Sequence, residues 1–513
     1  MKTDPESPKG RALAAIADLA PEPTGLVEYR SRGEVLVIGP PLAADRARER
    51  LMASAADRLR VRALHVPGGD APGGHGRSRA GLSLSGHLGA FRLADGDETV
   101  EGADIVLDLC QPALLSMPLP PFGYFAPGTD SDALERAVAE IPTLVGQFEK
   151  PQFFGYASDL CAHGASGIEG CRRCIDACPA LAIRSIGERI SVDPYLCQGG
   201  GACASVCPSG AITYRYPPAA DTLTRLRRML HAYREAGGDR ATVLLHRADG
   251  APEFDGSDLL PLALEELASA GLEIWLGAIA YGAAAVRLWR DDTIAPATIA
   301  LLDAQREVAN TILRSLGFPA AVQWQDRDTG PETMPRIAAA TYGATGGKRQ
   351  ALFSAIDHLA SAASRPPPLA GLPVDAPLGR VVVDVDACTL CLACASVCPA
   401  GALGDGGSLP ALRFFESKCL QCGLCKKACP ENAIRLEPRI VFDPRRRREA
   451  VALKEEAPFD CIRCGKPFAT RSALERVLAK LEGHPMFRDE AARRRLKMCE
   501  DCRVLDMMQD DDG

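Results

Sequence analysis

The chain has 513 residues, of which 47% are hydrophobic and 24% charged, and its formal net charge is -7. This balance predicts about three to four domains with buried cores, and it argues against nucleic acid as a partner because phosphate binding needs a basic surface. The most apolar window, Ile274–Val286, is shorter than the roughly 20 residues that span a bilayer, and the polar Met1–Arg11 segment is not a signal peptide, so we expect a cytoplasmic protein without a membrane span.

Residues 1–155 are predicted to form an N-terminal α/β domain. The apolar stretch Glu34–Gly39 predicts a buried strand, and alternating strands and helices follow at 42–60, 61–66, 105–109 and 132–145. This region holds one of the twenty cysteines, Cys110. Because Cys110 follows an apolar run, we interpret it as a buried structural thiol.

The next 61 residues, 156–216, are rich in cysteine. Closely spaced thiols in a long intracellular chain indicate metal or cluster ligation rather than disulfides. Two incomplete runs end in Cys-Pro, and the second has Gly200 where its spacing requires a cysteine. The first run keeps Cys171, Cys174 and Cys178 but has Ile168 where its first cysteine should be, and Cys161, ten positions before Cys171, could fold back as the replacement. The second run comprises Cys197, Cys203 and Cys207.

Residues 217–363 are predicted to form a middle α/β domain. The apolar periodicity predicts helices at 221–236, 258–270, 297–316 and 348–362 and strands at 242–246, 272–277 and 320–324. The segment Gly343–Lys348 is similar to a phosphate-binding loop, but Tyr342 replaces its first glycine and Arg349 replaces the magnesium-binding hydroxyl residue. We therefore predict no nucleotide site here. A proline-rich linker follows at 364–379.

Residues 380–440 contain two complete C-x2-C-x2-C-x3-C-P runs. The first is Cys388, Cys391, Cys394 and Cys398, and the second is Cys419, Cys422, Cys425 and Cys429. This region resembles the bacterial two-cluster ferredoxins, in which the fourth thiolate of each run binds the neighbouring cluster. The resemblance implies one 4Fe–4S cluster on Cys388, Cys391, Cys394 and Cys429, and a second on Cys419, Cys422, Cys425 and Cys398.

The block at 156–216 also resembles a ferredoxin, in a degenerate form. The same crossing rule implies a 4Fe–4S cluster on Cys161, Cys171, Cys174 and Cys207. Only Cys178, Cys197 and Cys203 remain for the other site, which predicts a 3Fe–4S cluster or a 4Fe–4S cluster with one labile iron. The alternative is that Cys110 or His163 supplies a fourth ligand, although His163 is also explained as a loop residue bonded to the backbone.

The last group of cysteines lies within residues 458–504, before an acidic tail at 505–513. Two C-x2-C pairs, Cys461 with Cys464 and Cys499 with Cys502, predict a zinc-ribbon-like knuckle. A single iron or an iron–sulfur cluster are the alternatives to zinc. Upstream, the run Arg445–Arg448 is interpreted either as a solvated loop or as a docking patch for an acidic redox partner.

The predicted fold class combines α/β domains, two ferredoxin-type (βαβ) iron–sulfur modules and the small knuckle. This layout resembles the ferredoxin-like proteins that accompany molybdenum formate dehydrogenases. It implies single-electron transfer to or from an oxidoreductase complex, with three to four 4Fe–4S clusters, a 3Fe–4S cluster as the alternative at the incomplete site, zinc, and no catalytic residue. A maturation scaffold with structural clusters, or an oxidoreductase with an unrecognised flavin site, are the alternatives.

Overall fold

The computed structural model describes residues 4–66, 81–249, 256–325, 333–343, 346–407 and 409–511. It is a mixed α/β structure in which two large helix-and-sheet regions alternate with two cysteine-rich regions. Within these ranges no helix is both long and apolar enough to cross a membrane. The segment Gly343–Lys348, for which we predict no nucleotide site, is described only in part, because residues 344 and 345 lie outside the described ranges.

The N-terminal region contains a four-stranded parallel sheet in the order β3-β2-β7-β8, with a three-stranded antiparallel sheet beside it. The predicted strand Glu34–Gly39 is confirmed, and its residues are almost entirely buried. The elements are α1 (Pro8–Ala14), β1 (Leu26–Ser31), β2 (Glu34–Gly39), α2 (Pro41–Ala55), β3 (Arg60–His65), β4 (Leu82–Ser85), β5 (Phe91–Asp95), β6 (Glu98–Ala103), β7 (Ile105–Asp108), β8 (Tyr124–Phe125), α3 (Ser131–Glu140) and β9 (Gly146–Pro151).

The first cysteine-rich region is built from short elements. Its outer strands, β10 and β15, pair antiparallel, and so do its two hairpins, which distinguishes the region from a parallel βαβ crossover in the strict sense. The elements are β10 (Phe154–Tyr156), β11 (Gly164–Ala165), β12 (Ile168–Glu169), α4 (Arg173–Asp176), β13 (Ile183–Ile186), β14 (Arg189–Val192), α5 (Ala202–Val206) and β15 (Ile212–Tyr214).

The middle region is a parallel sheet in the order β17-β16-β18-β19, packed against helices. The largest hydrophobic core lies here, and Ala12 and Ile16 at the chain's start join it. The elements are α6 (Ala219–Glu235), β16 (Thr242–Arg247), β17 (Leu259–Leu264), α7 (Leu272–Ala280), β18 (Ala285–Trp289), α8 (Pro296–Ser315), β19 (Val322–Gln325) and α9 (Lys348–Ala362).

Two predicted elements in the middle region are wrong. The predicted helix 258–270 contains strand β17, and the predicted strand 272–277 lies in helix α7. Strand β17 lies at the edge of the sheet, where its proline, Pro261, is tolerated because one side of an edge strand has no ladder partner. All nine residues of α7 are buried, so its sequence has no polar face that would reveal the helical period.

The second cysteine-rich region packs on the middle region. The predicted linker 364–379 is not a free spacer, since it contains a strand, β20, that pairs with β24, and its Ala376 and Leu378 enter the middle core. The elements are β20 (Leu369–Gly371), β21 (Gly379–Val383), α10 (Ala393–Ser396), β22 (Leu403–Asp405), β23 (Ala411–Phe415), α11 (Leu424–Ala428), β24 (Ile434–Val441), α12 (Pro444–Arg448) and β25 (Ala450–Glu455).

The C-terminal segment is a hairpin followed by three helices. The predicted acidic tail from residue 505 is helical as far as Asp511, because Asp506 anchors this helix through ion pairs with Arg494 and Arg495. The elements are β26 (Pro458–Asp460), β27 (Pro467–Thr470), α13 (Arg471–Leu481), α14 (Glu490–Arg495) and α15 (Glu500–Asp511).

Candidate iron–sulfur and metal sites

The cysteine loops of the second module have an unusual backbone. Two and four residues after the first cysteine of each run, the chain enters the left-handed region: Leu390 and Leu392 in one loop, Gln421 and Gly423 in the other. Such a conformation is an outlier for a bulky side chain, and strained residues cluster at ligand clamps. The tight coil turns three cysteines of a run towards one point.

The first predicted ligand set of the second module comes together in space. Cys388, Cys391, Cys394 and Cys429 line one small cavity. Burial, and to a smaller extent the other three thiols, raises the pKa of Cys394 to about 12. The thiol that crosses from the second run therefore lies beside the first run, as the ferredoxin pattern predicts.

The second ligand set is assembled in the same way. Burial, together with the nearby thiols of Cys398 and Cys419, raises the pKa of Cys422 to about 11. Burial also raises the pKa of Cys425, again with Cys398 among its charged neighbours. Thiols gathered in a desolvated site are a suitable donor set for iron, since the metal's positive charge offsets the desolvation of the thiolates.

Backbone N–H groups point at several of these sulfur atoms. The amides of Ala182, Ala402 and Ala433 donate to Cys178, Cys398 and Cys429 over 3.3–3.4 Å. Each donor lies four residues after its cysteine, in the pattern C-P-x-x-A. The sequence contains the pattern C-P-x-x-A four times, but these amide–sulfur hydrogen bonds are not among the features predicted from the sequence. Hydrogen bonds of this kind stabilise thiolate charge and tune cluster potentials.

The complete set of the first module also converges. Cys161, Cys171, Cys174 and Cys207 line a second small cavity, and burial raises the pKa of Cys174 to about 12. The hairpin of β11 and β12 takes up the extra residues between Cys161 and Cys171, so that the amide of Cys171 donates to the carbonyl of Ala162 at 2.9 Å. This detour places Cys161 in the cavity with Cys171, where the sequence analysis expects it to replace the missing cysteine.

His163 lines the same cavity but is committed to other partners. It is 1% exposed, with Nδ1 2.9 Å from the carbonyl oxygen of Cys171 and Nε2 2.8 Å from Oγ of Ser185. A carbonyl only accepts, so Nδ1 carries a proton and donates to Cys171, while Nε2 is engaged by the serine hydroxyl. This geometry supports the interpretation of His163 as a loop residue bonded to the backbone, and it faces a site that already has four thiols.

The third cavity holds the incomplete set. Cys178, Cys197 and Cys203 line it together with Gly200, and its described lining contains no fourth cysteine, histidine or carboxylate. Gly199 and Gly201 have the same left-handed backbone as the equivalent positions of the complete runs. Gly200 therefore occupies the position of Cys391 and Cys422 in a loop whose left-handed residues lie at the same positions. Cys110 instead lies in the N-terminal core, 5% exposed, against Leu36 and Ile38.

The four C-terminal cysteines form a compact group. The sulfur atoms of Cys461, Cys464, Cys499 and Cys502 all lie within 4.8 Å of one another. Burial opposes ionisation of Cys461, but backbone N–H groups of Cys499, Cys464 and Arg463 outweigh it and lower the pKa of Cys461 to about 6. The group could hold a metal ion.

The arginine run near residue 445 is not a solvated loop. It forms helix α12, capped by Asp443, and Arg447 is 3% exposed. Arg447 donates to the carbonyl of Val441 and pairs with Asp357. Arg445, Arg446 and Arg448 remain exposed, so only these three are available to a partner.

Comparison with protein-family models identifies a 4Fe–4S dicluster domain at residues 387–434 and another at residues 169–211. A search of curated proteins found no match. The two matches agree with the two cysteine-rich regions, and they show that the chain is an iron–sulfur protein with ferredoxin-type domains. Domains of this type suggest electron transfer.

Proposed function

We propose that the chain passes single electrons between redox partner proteins through about four clusters. The observation that carries this proposal is the direct contact between the two modules: Nζ of Lys427, in the helix that follows Cys422, donates at 2.7 Å to the backbone oxygen of Glu169, two residues before Cys171. Within each module the crossing cysteines, Cys178 and Cys207 or Cys398 and Cys429, join neighbouring sites. The sites therefore form a row, which suits conduction along the chain.

The thiolates described above would hold three to four 4Fe–4S clusters, with a 3Fe–4S cluster as the alternative beside Gly200. Such clusters supply reversible one-electron storage, and the protein supplies spacing, desolvation and N–H donors. In the C-terminal group we propose zinc, bound for structural reasons, because a four-thiolate site without an open position is typical of structural zinc.

We propose an oxidoreductase complex as the partner, in the cytoplasm, with the chain as electron carrier or subunit rather than as a stand-alone enzyme. Formate dehydrogenase is the first partner to test, because the sequence layout resembles proteins that accompany it. The exposed arginines of α12 offer a surface on which an acidic partner would be steered by charge.

The test is an anaerobic redox titration of the reconstituted full chain. We expect reversible reduction and reoxidation of all clusters, and recovery of an oxidoreductase with the tagged protein from anaerobic extracts. Fully loaded clusters that stay redox-inert would instead support a maturation scaffold. A flavin spectrum in the extracted protein would support an enzyme with a site in the α/β regions.

A further inference from the structure

The two cysteine-rich modules touch directly. Lys427, in α11 of the second module, donates from Nζ to the backbone oxygen of Glu169 in the first at 2.7 Å. Gly170 lies so close that a Cβ atom there would be 2.5 Å from Cγ of Leu424. The ligand sets that contain Cys171 and Cys422 are thus the inner pair of the row. The outer pair consists of the incomplete set, which contains Cys197, and the set that contains Cys391.

Arg349 lies at this junction and binds both modules. Its guanidinium donates to Ser417 and Cys419 of the second module, with Nη2 2.8 Å from the Cys419 oxygen. Through Nη1 it donates to Pro208, which follows Cys207 of the first module, at 3.4 Å, and to Pro377 at 3.1 Å. One side chain therefore contacts the backbone beside a ligand of each inner set.

The charge of Arg349 is not neutralised by a carboxylate among its described partners. A guanidinium keeps its proton in proteins, so the Arg349 side chain is a cation at neutral pH. All its described hydrogen bonds go to backbone carbonyls, whereas nearby Arg447 is paired with Asp357. The guanidinium also lies over the ring of Phe353, 5.0 Å from its centroid. A cation that has carbonyl dipoles and an aromatic ring as its described partners projects its field onto a charge that lies next to it.

We propose that Arg349 is a positioning residue that joins the inner clusters into one conduction path and raises their reduction potentials. The inference rests on the proposed function. In the step concerned, one electron leaves the cluster on one side of Arg349 and arrives at the cluster on the other; no bond forms or breaks and no proton moves. Each reduction adds one negative charge beside Arg349, and the cation stabilises that charge in a region of low dielectric constant.

The experiment compares Arg349→Gln, Arg349→Lys and the native full chain in redox titrations followed by low-temperature electron paramagnetic resonance. Arg349→Gln removes the charge, so the potential of the inner cluster beside Cys419 should become more negative while the outer clusters keep theirs. A Cys422→Ser variant, which alters the signal of that cluster alone, assigns it. Arg349→Lys keeps the charge, so the reduction potential of the inner cluster beside Cys419 should remain at its native value. The lysine cannot reach both modules, so the spin–spin interaction between the inner clusters should weaken.

Arg448→Gln is the matched control, because it removes the same charge from an exposed arginine near the same junction. It should leave all potentials unchanged. Unchanged potentials in an iron-replete Arg349→Gln chain, or an unchanged interaction in Arg349→Lys, would overturn the inference while leaving electron transfer intact. If Arg349→Gln fails to fold, the interaction in Arg349→Lys decides. Clusters that cannot be reversibly reduced in the native chain would refute the proposed function itself.

Discussion

The sulfur atoms of Cys464 and Cys499 lie 3.7 Å apart. In a tetrahedral site with metal–sulfur bonds of about 2.3 Å, the sulfur atoms are about 3.8 Å from one another. A cubane holds each cysteine on a different iron and keeps the sulfur atoms farther apart. The C-terminal group therefore suits a single metal ion and not a cluster, which leaves zinc and a lone iron from the predicted alternatives.

Replacing Cys461 should remove the C-terminal metal without affecting the clusters. In Cys461→Ser we expect the zinc content to fall, and hydrogen exchange across 458–504 to accelerate, because structural zinc contributes directly to folding. Elemental analysis of zinc and iron on the same sample makes the measurement. Cys391→Ser is the control and should lose iron while keeping its zinc. Full zinc in Cys461→Ser, or iron in place of zinc in the native chain, would contradict the assignment.

Zinc affinity should depend on pH with a break near pH 6. The pKa of Cys461 is about 6 and that of Cys502, raised by burial and by hydrogen bonds from neighbouring thiols, is about 12. Cys502 must therefore lose a proton to bind metal throughout the accessible range, whereas Cys461 must do so only below about pH 6. Competition with a chromophoric chelator should show affinity falling more steeply with acidification below pH 6 than above it. Equal slopes on both sides would refute the expected behaviour of Cys461.

The crossing of ligands between runs can be tested within the second module. Cys429→Ser should perturb the resonance signal of the cluster on Cys388, Cys391 and Cys394, although Cys429 belongs to the other run. Cys398→Ser is the reciprocal variant and should perturb the other cluster. Cys391→Ser serves as the reference, because Cys391 belongs to the first run. Cys429→Ser should alter the same cluster signal as Cys391→Ser, and Cys398→Ser should alter the other signal. If Cys398→Ser and Cys391→Ser alter the same signal, each run holds its own cluster.

Loss of the His163 ring should weaken the first module but leave its clusters unchanged in type. His163→Ala removes the donor to the Cys171 carbonyl, and a buried unsatisfied carbonyl costs about 1–3 kcal/mol. Chemical denaturation should show this loss, and His163→Gln, which retains a donor, should show less of it. The appearance of a three-iron signal only in His163→Ala would mean that the histidine is an iron ligand after all.

The sequence predicts the cysteine sites better than it predicts the surrounding fold, for a physical reason. Ligand spacing is local, so two-residue gaps indicate a cluster wherever the module lies. Whether β17 and α7 become strand or helix depends on their packing against residues that are distant in sequence. A uniformly apolar stretch has no polar–apolar periodicity that would indicate either structure. The role of Arg349 is likewise invisible in sequence, since its carbonyl partners come from segments about 30 to 140 positions away.

The backbone of the Gly200 loop could not be foreseen either. Three successive glycines predict only that the backbone can adopt many conformations. In the structure Gly199 and Gly201 have the left-handed conformation that is found at Leu390 and Leu392. Because the left-handed positions match, residue 200 stands where a complete run has its second cysteine. The consequence is a specific substitution.

Gly200→Cys should supply the missing corner of the third site. A Cβ atom on Gly200 has only Cγ of Pro179 within 4 Å, at 3.8 Å, and Gly200 lies outside the left-handed region, so a side chain is accommodated. Air-oxidised native protein should show the resonance of an oxidised 3Fe–4S cluster, because an iron with no thiolate is lost most easily. In Gly200→Cys this signal should disappear and the iron content should rise by about one per chain, as a three-iron cluster becomes a four-iron cluster.

Gly199→Cys is the control for this substitution. It adds the same thiol one residue earlier, but Gly199 has a φ of +79° and its Cβ would lie 2.9 Å from the Phe153 ring. The three-iron signal should therefore persist in Gly199→Cys. Persistence of the signal in a folded Gly200→Cys chain would show that the loop does not present residue 200 to the cluster. Its absence from native protein would mean that a ligand other than thiolate retains the fourth iron.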